Sequence, residues 1–565
     1  MSGSFTKYSE HYNEFRKYVI YNDYSASEPN NLTIKNSLSE TRTFDALLTY
    51  NKEINKHNIG ALLGWHAEKY ERSYEELYRK NFPSNDLTDM DAGEAKTQTN
   101  KGNTTELALL SYFARVNYDY AGKYLFEANI RSDASSRFAP GHRWGYFPSF
   151  SAAWRVTEEN FMENSRSWLS NMKLRASWGL LGNQDALGDD FAYLPSYGLG
   201  AAYAFGGEYY NGYNLGSYKI RSISWEKSKT WGLGLDMSFK NNFNVSVDYY
   251  NRKTTGIIMD MPVPVEFAMG AYKDNIGAMR NQGIELSLGY NKRWNDWSLN
   301  ISGNFSYNKN EILDLGNDVT FMTDPDNENM RRVVGEPINS YYLYRTDGLF
   351  ASDEAAQEWM DKYAGQSGYP FGTKTFKGGD IVIKDTNNDG KITIDDRQLC
   401  GSKNPKFTYG LNLNVGYKGF DLGMIFTGAA GTYMLLDDSA IGSFVGDSSH
   451  PSTLWLDAWT PDNKDTNVPR IAYAAESPSS FQNIKSDFWL NNASYLRLKN
   501  VQLGYTFPKG ILKNIGVQGL RLYCTVENAF TIDNMIVNVD PEIASENANS
   551  YPLLRTCSFG VNLTF

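Results

Sequence analysis

An excess of basic charge, a paired set of cysteines, a cluster of histidines and any long apolar run are all missing from this chain of 565 residues. Lysine and arginine number 55 against 65 aspartates and glutamates, a formal net charge of −10. That acidic balance excludes a surface built to neutralise nucleic-acid phosphates. Cys400, Cys524 and Cys557 lie too far apart for a metal knuckle or a redox pair and read as small apolar packing residues. The five histidines, His11, His57, His66, His142 and His450, form no His-Glu-x-x-His pattern, so no zinc site is expected. No stretch approaches the roughly 18 to 20 apolar residues of a membrane-spanning helix. That excludes a helical membrane bundle but not a transmembrane β-barrel, whose lipid-facing residues alternate with polar ones and vanish in hydropathy averages. Met1 to Glu10 contains no basic segment followed by an apolar core, so no export leader is expected there.

Aromatic residues, by contrast, are plentiful, at 15% of the chain, while the mean hydropathy stays at −0.51. They recur with period two. Trp297, Leu299, Ile301, Gly303, Phe305 and Tyr307 alternate with Ser298, Asn300, Ser302, Asn304, Ser306 and Asn308. The same pattern holds from Phe407 to Tyr417, Trp231 to Phe239, Phe243 to Tyr249, Ile284 to Tyr290, Leu520 to Val526 and Cys557 to Phe565. These segments predict β-strands with one apolar face.

A soluble sandwich also alternates, so strand length and aromatic placement must decide. Ordinary strands run about 5 to 6 residues, whereas several here continue for about ten, which suits a tilted membrane strand. On the apolar face the rings of Trp297 and Tyr307, and of Phe407 and Tyr417, stand far enough apart to bracket a lipid band roughly 25 Å deep. Short joints at Asp119–Lys123, Lys240–Asn242, Asn291–Asp296 and Lys418–Gly419 separate long polar stretches at Leu181–Glu226, Thr254–Gln282 and Gly431–Asn492. The expected fold is therefore all-β, an antiparallel transmembrane barrel of about 17 strands, the first near Leu32 and the last ending at Phe565. Parity fails between Glu311 and Pro405, where one strand near Asn339–Arg345 calls for another beside it. Glu158–Leu169 and Ser352–Lys362 are expected to be helical, Ser352 capping the second.

Several segments resemble the SusC/RagA family of TonB-dependent outer-membrane transporters. They include Arg131–Phe138, Gly145–Ser149, Ala153–Arg155, Leu174–Gly179, Asp347–Phe350, Asn404–Gly410, Ala493–Asn500 and the terminal Phe565. The resemblance implies a barrel of the TonB-dependent receptor type with about 17 to 18 of 22 strands present, residues 1–565 forming its C-terminal part with long extracellular loops. The signal peptide, plug domain and first strands of such proteins are expected to be absent, as in a C-terminal fragment or a gene start at an internal Met. By the same resemblance the chain is expected in the Gram-negative outer membrane as part of an importer of oligosaccharides or peptides. Its implied partners are a SusD-like surface lipoprotein as lid and TonB, acting through the plug. The rival expectation is a secreted glycan-binding β-protein without transport activity.

One local motif carries chemistry of its own. Asp385, Asn387 and Asp389 alternate along a loop, followed by Gly390, the Lys391 backbone carbonyl and Asp396, which matches the calcium-loop template of oxygen donors around a sharp turn. Calcium is the cofactor this pattern would hold. Asp396 stands where an EF-hand has a longer Glu, and no flanking helix is evident, so an ordinary Asp/Asn/Gly turn is the plainer reading. Arg131, Arg137 and Arg143 near Trp144 read as structural before they read as a substrate path. The aromatics from Tyr203 to Tyr213 suit sugar stacking, with loop packing as the default. Phe565 resembles the signal read by barrel-assembly machinery, and equally a lipid-facing rim aromatic. No nucleophile elbow, phosphate loop or zinc motif occurs, and no enzyme is expected.

Overall fold

The computed structural model describes residues 1–565 apart from 24, 189, 192, 196, 216–218, 221, 262–265, 267–270, 317, 325–326, 445–450, 513–515 and 543–550. Parts of the expected loops at 181–226, 254–282 and 431–492 thus lie outside the described residues. Two compact units emerge: Met1–Trp154 with Ala176–Trp231 and Lys253–Gly277, and Arg155–Arg175 with Gly232–Arg252 and Ala278–Phe565.

The first unit holds β1 (Ser2–Arg16), β2 (Asn31–Ile54), β3 (His57–Lys80), β4 (Thr99–Tyr120), β5 (Tyr124–Ser135) and most of β6 (Trp144–Arg155). Residues of both units make up β7 (Leu169–Asn183), β8 (Glu226–Phe239), β9 (Phe243–Met261) and β10 (Tyr272–Trp294). The second unit continues with β11 (Trp297–Asp314), β12 (Phe407–Tyr417), β13 (Phe420–Ala430), β14 (Tyr495–Thr506), β15 (Gly519–Asp533) and β16 (Thr556–Thr564). Among the described residues the principal sheet has these sixteen strands in chain order, and its ladders are antiparallel from β1 through β6 and from β10 through β16.

Four expectations need correction. Among the described residues the sheet begins at Ser2, well before Leu32. Among the described residues no strand between Glu311 and Pro405 other than the end of β11 joins it. Ser340–Tyr344 instead belongs to a separate four-stranded sheet with Phe321–Thr323, Met330–Val333 and Arg397–Ser402. With that segment removed, the long connection from β11 to β12 restores parity. The expected helix at Glu158–Leu169 is two 3₁₀ turns, Val156–Glu158 and Asn160–Ser165, and the loop expected at Thr254–Gln282 is shorter, because β9 and β10 run into it.

Connections alternate between tight turns and long loops. Lys418 and Gly419 have φ of 45° and 91°, the double left-handed pair that a two-residue hairpin matched to strand twist requires. A tight joint also links β2 to β3, with Asn55 at φ 54°. Beside these turns, rings pair on the apolar face: Trp297 with Tyr417 at 4.3 Å and Phe420 with Tyr505 at 4.5 Å in one unit, Tyr124 with Trp154 at 6.5 Å in the other. This is the aromatic girdle of a barrel rim.

The apolar faces are open. Leu503 is 54% exposed, Val561 60% and Phe559 85%. A sandwich core would bury such residues against a second sheet, so the sandwich reading fails on this point. We therefore expect Leu411→Lys, mid-strand on the exposed face of β12, to cost about 2–4 kcal/mol of insertion free energy and to deplete the protein from membranes. Asn412→Lys, on the opposite face, should leave membrane levels close to the parent. Equal levels of the two variants in fractionated cells would contradict this assignment of faces.

Strands β2, β3 and β4 span 24, 24 and 22 residues, about twice what crosses a bilayer. Their lipid-type face runs as far as the row of Phe44, Ala67 and Leu110 and then becomes Arg42, Glu40, Lys69, Glu71 and Glu106, with Lys69 lying 3.5 Å from both Glu71 and Glu106. Hydrocarbon does not accept such a band, so the sheet continues beyond it on the long-loop side.

Candidate functional site

The polar face of the second unit is organised by arginines set over glycines. Arg175 of β7 forks onto Asp236 of β8, with Nε and Nη2 at 2.7 and 2.8 Å, and also reaches Asp248 of β9 at 3.0 Å. Ser246 Oγ stands 2.8 Å from Asp236 and 3.2 Å from Asp248. Gly234 makes room, since a Cβ there would fall 2.5 Å from Asp248 and 2.6 Å from the guanidinium carbon. One cation thus holds two carboxylates by charge-assisted bonds. Arg521 repeats the device over Gly504, gripping Asp421 at 3.0 Å through Nε and Gln502 at 2.9 Å through Nη2. A polar pocket lies alongside, lined by Asn291, Arg293, Asn300, Asn414, Asp421 and Gln502. Sequence reading missed both clusters. The available signal was a charged residue at a position where the alternation otherwise places Ser, Asn or Gly.

In the first unit the singled-out arginines engage nearby protein groups. Arg131 bonds Asp133 at 2.7 Å and Ser111 at 2.9 Å and lies over the Phe113 ring. Arg137 reaches Asp185 at 3.4 Å and Asp190 at 3.2 Å, and Arg143 donates to the Phe138 carbonyl. Trp144 stacks on Tyr112 at 6.1 Å. The expected aromatic segment forms a hairpin, Tyr197–Phe205 against Glu208–Leu215, with Tyr203 opposite Tyr210 and both exposed.

Long loops of the second unit fold into a module with its own core. Phe350, Phe376, Ile381 and Ile383 from the β11–β12 loop meet Leu435, Ile441, Ile484 and Trp489 from the β13–β14 loop, and Met535 and Val537 from the β15–β16 loop pack against them. Helix α1 (Asp353–Tyr363) docks there through Ala356, Met360 and Tyr363, with Ser352 as its cap accepting from the Ala355 amide. Burial pushes the Asp380 carboxyl above its ordinary range although Arg470 lies 3.0 Å away. Burial likewise raises Asp438, whose oxygens accept the Phe481 and Gln482 amides. Cys400 is half-buried, and Cys557 is exposed.

The predicted calcium-type residues also sit in this loop. Asp385 accepts the Asp389 and Gly390 amides, Asn387 accepts Asp389, and Asp389 accepts the Lys391 amide. Asp396 is fully buried, its two oxygens accepting the Thr386 and Thr393 amides at 2.8 Å each. Among the described residues no group of three or more His, Cys, Asp or Glu side chains is placed to share one ion. Phe565, at the end of the chain, is exposed.

Comparison with known proteins places these observations. The family model described as TonB dependent receptor-like, beta-barrel, matches residues 3–529. TonB-dependent receptor P3 of Formosa agariphila is 31% identical over 94% of this chain and 52% of its own length. TonB-dependent receptor SusC of Bacteroides thetaiotaomicron is 31% identical over 84% of this chain and 45% of its own. The RagAB peptide importer in its closed-closed state superposes with a TM-score of 0.82 at 25% identity, over the whole of this chain and 59% of that one. The chain thus spans about half the length of the curated relatives it matches.

Proposed function

The chain belongs to the TonB-dependent receptor-like β-barrel family of outer-membrane proteins, and from that premise we propose that it is the barrel portion of an energy-coupled importer of oligosaccharides or peptides. A SusD-like lipoprotein would cover the long-loop side, and TonB would act through a plug carried by the complete protein. Relatives named as receptors, one of them SusC, support this reading over an enzyme. The observation that carries it is the pairing of an exposed apolar strand face with an opposite face of Asn, Ser and clamped Arg–Asp groups. Such a sheet separates lipid from a wet, polar path.

Deleting the gene from its host and measuring uptake of labelled oligosaccharides and peptides tests the proposal. Uptake lost on deletion, restored by the gene and abolished by a protonophore is expected. Uptake indifferent to both deletion and protonophore would reject it. Calcium at residues 385–396 is a further part of the proposal, supported by the donor pattern of Asp385, Asn387, Asp389, the Lys391 carbonyl and Asp396. Asp396 would have to turn one oxygen from the Thr386 or Thr393 amide to join, and a flat calcium calorimetry trace at millimolar ion would rule it out.

A further inference from the structure

Beyond the charged band, the face of β1–β4 opposite Arg42 and Lys69 has an unusual composition. Along β3 it presents Tyr70, Arg72, Tyr74, Glu76 and Tyr78 in alternation, and along β1 Tyr8, Glu10, Tyr12 and Glu14. The registers align them in rows. Tyr12, Lys35, Glu76 and Lys101 form one row, and Glu10, Ser37, Tyr74 and Asn103 the next. Between the rings stand hydroxyls and amides, with Leu107 the sole aliphatic residue in the rows from Thr6 to Glu14.

The charges in these rows sum to zero, and Glu14 pairs with Arg16 of the adjoining row at 3.2 Å. Glu76 lies 3.2 Å from Lys35 and 3.0 Å from Lys101, and the Tyr74 hydroxyl and Lys101 hold its carboxyl down to about 2. Arg72 donates to Ser37 Oγ at 3.0 Å, and Lys35 stands 5.6 Å over the Tyr12 ring. Three cations, Lys35, Arg72 and Lys101, balance three anions, Glu10, Glu14 and Glu76. Tyr8 is 60% exposed and Tyr12 40%. Four-residue steps between rings on one strand correspond to about 13 Å. A large charged ligand would meet no net opposite charge here, whereas flat rings beside fixed hydroxyls suit the C–H faces and hydroxyl edges of an uncharged sugar chain.

We propose that this tyrosine face is a binding surface for neutral oligosaccharides at the extracellular end of the sheet. The inference rests on the importer reading and narrows its substrate class. It is tested on the complete protein in detergent micelles, by titrating neutral gluco-, manno- and xylo-hexasaccharides, a hexauronate and a hexapeptide. The wild type is expected to bind at least one neutral hexasaccharide and to prefer it to the hexauronate and the peptide. Tyr12→Ala and Tyr74→Ala should weaken that binding about tenfold each. Glu71→Ala, on the outer face of the same strand, should bind as the parent does and so reports that the sheet is intact, while Tyr74→Phe, which keeps the ring, should bind more tightly than Tyr74→Ala. Parental affinity in both alanine variants would overturn the site, as would preference for the hexauronate or the peptide, or no binding of any neutral sugar. Energy-coupled uptake that persists with such a result leaves the importer standing. Sugar binding lost with the tyrosines, in a protein that supports no coupled uptake, upholds the surface and rejects the importer.

Discussion

Replacing Arg497 with methionine is expected to cost about 3 kcal/mol and to free the segment that follows β15. The guanidinium is almost fully buried and is the hub of its surroundings. It bonds Asp540 through both carboxylate oxygens at 2.8 and 2.7 Å, donates to Thr531 at 2.9 Å, contacts Glu542 and lies over the Tyr495 ring. Breaking a buried pair from one side typically costs 3–5 kcal/mol, because the partner charge is left without compensation. The lower end applies here, since Glu542 is half exposed and regains water. Asp540 and Glu542 should then swing away, loosening the Ile536 amide from Asn491 at 3.0 Å and the Met535 and Val537 side chains from the loop core. Limited proteolysis of the membrane-inserted protein would show new cleavage between 533 and 542. Arg497→Lys keeps the charge but loses the fork, so it should fall between. The decisive comparison is the triple variant Arg497→Met, Asp540→Asn, Glu542→Gln, which removes both sides of the pair and should recover much of the loss. Identical protease resistance in parent and single variant would refute this account of the hub.

Arg497 also shows where sequence reading stops. It stands inside the Ala493–Asn500 segment that carried the family resemblance, yet its partners lie 43 and 45 residues away and nothing in their spacing announces the pairing. The Arg175 cluster is the same case, its aspartates lying 61 and 73 residues on. Strand pairing brings the Arg175 groups together, and the β15–β16 loop folds Asp540 and Glu542 back onto Arg497, so neither cluster is visible before the fold is known. The membrane strands were legible because lipid imposes one apolar face with period two, as from Trp297 to Tyr307. Where the sheet leaves the lipid, that signal ends: β1 alternates tyrosine and glutamate from Tyr8 to Glu14 on one face, with Lys7, Ser9, His11 and Asn13 on the other between Phe5 and Phe15, and no continuous apolar stripe marks it. Ser340–Tyr344 misled for the opposite reason. It is buried almost throughout, and a short apolar run does not say whether lipid or a loop core will cover it. Helix α1 was legible from its own residues, since a capping Ser352 and a helix-forming run need no distant partner.

Trp489→Ala is expected to unpack the loop module while leaving the sheet inserted. The indole is 2% exposed at the centre of the core, packs edge-on against Phe488 at 4.9 Å, neighbours Trp455 at 6.3 Å and donates to the Ser479 carbonyl at 3.1 Å. Removing a ring of this size from a packed interior costs about 3–5 kcal/mol through lost transfer energy and the cavity left behind. Ser479 also loses its indole donor, so its carbonyl must find water. The module draws its core from three separate loops, so none of them keeps a complete hydrophobic cluster once the centre is hollowed. It should therefore open as a cooperative unit below the global transition. A 3 kcal/mol loss raises the open population by roughly two orders of magnitude, and protease cutting in residues 315–406 and 431–494 of intact cells should rise in proportion while β1–β16 stay protected. Membrane levels should hold, because none of the lost contacts belongs to the lipid-facing side of the sheet. Unchanged cutting would show that the loops do not depend on this core, and a fall in membrane level would show that the module and the sheet fold as one. If cutting increases while the proposed coupled uptake falls, the importer reading would include a requirement for rigid placement of this module.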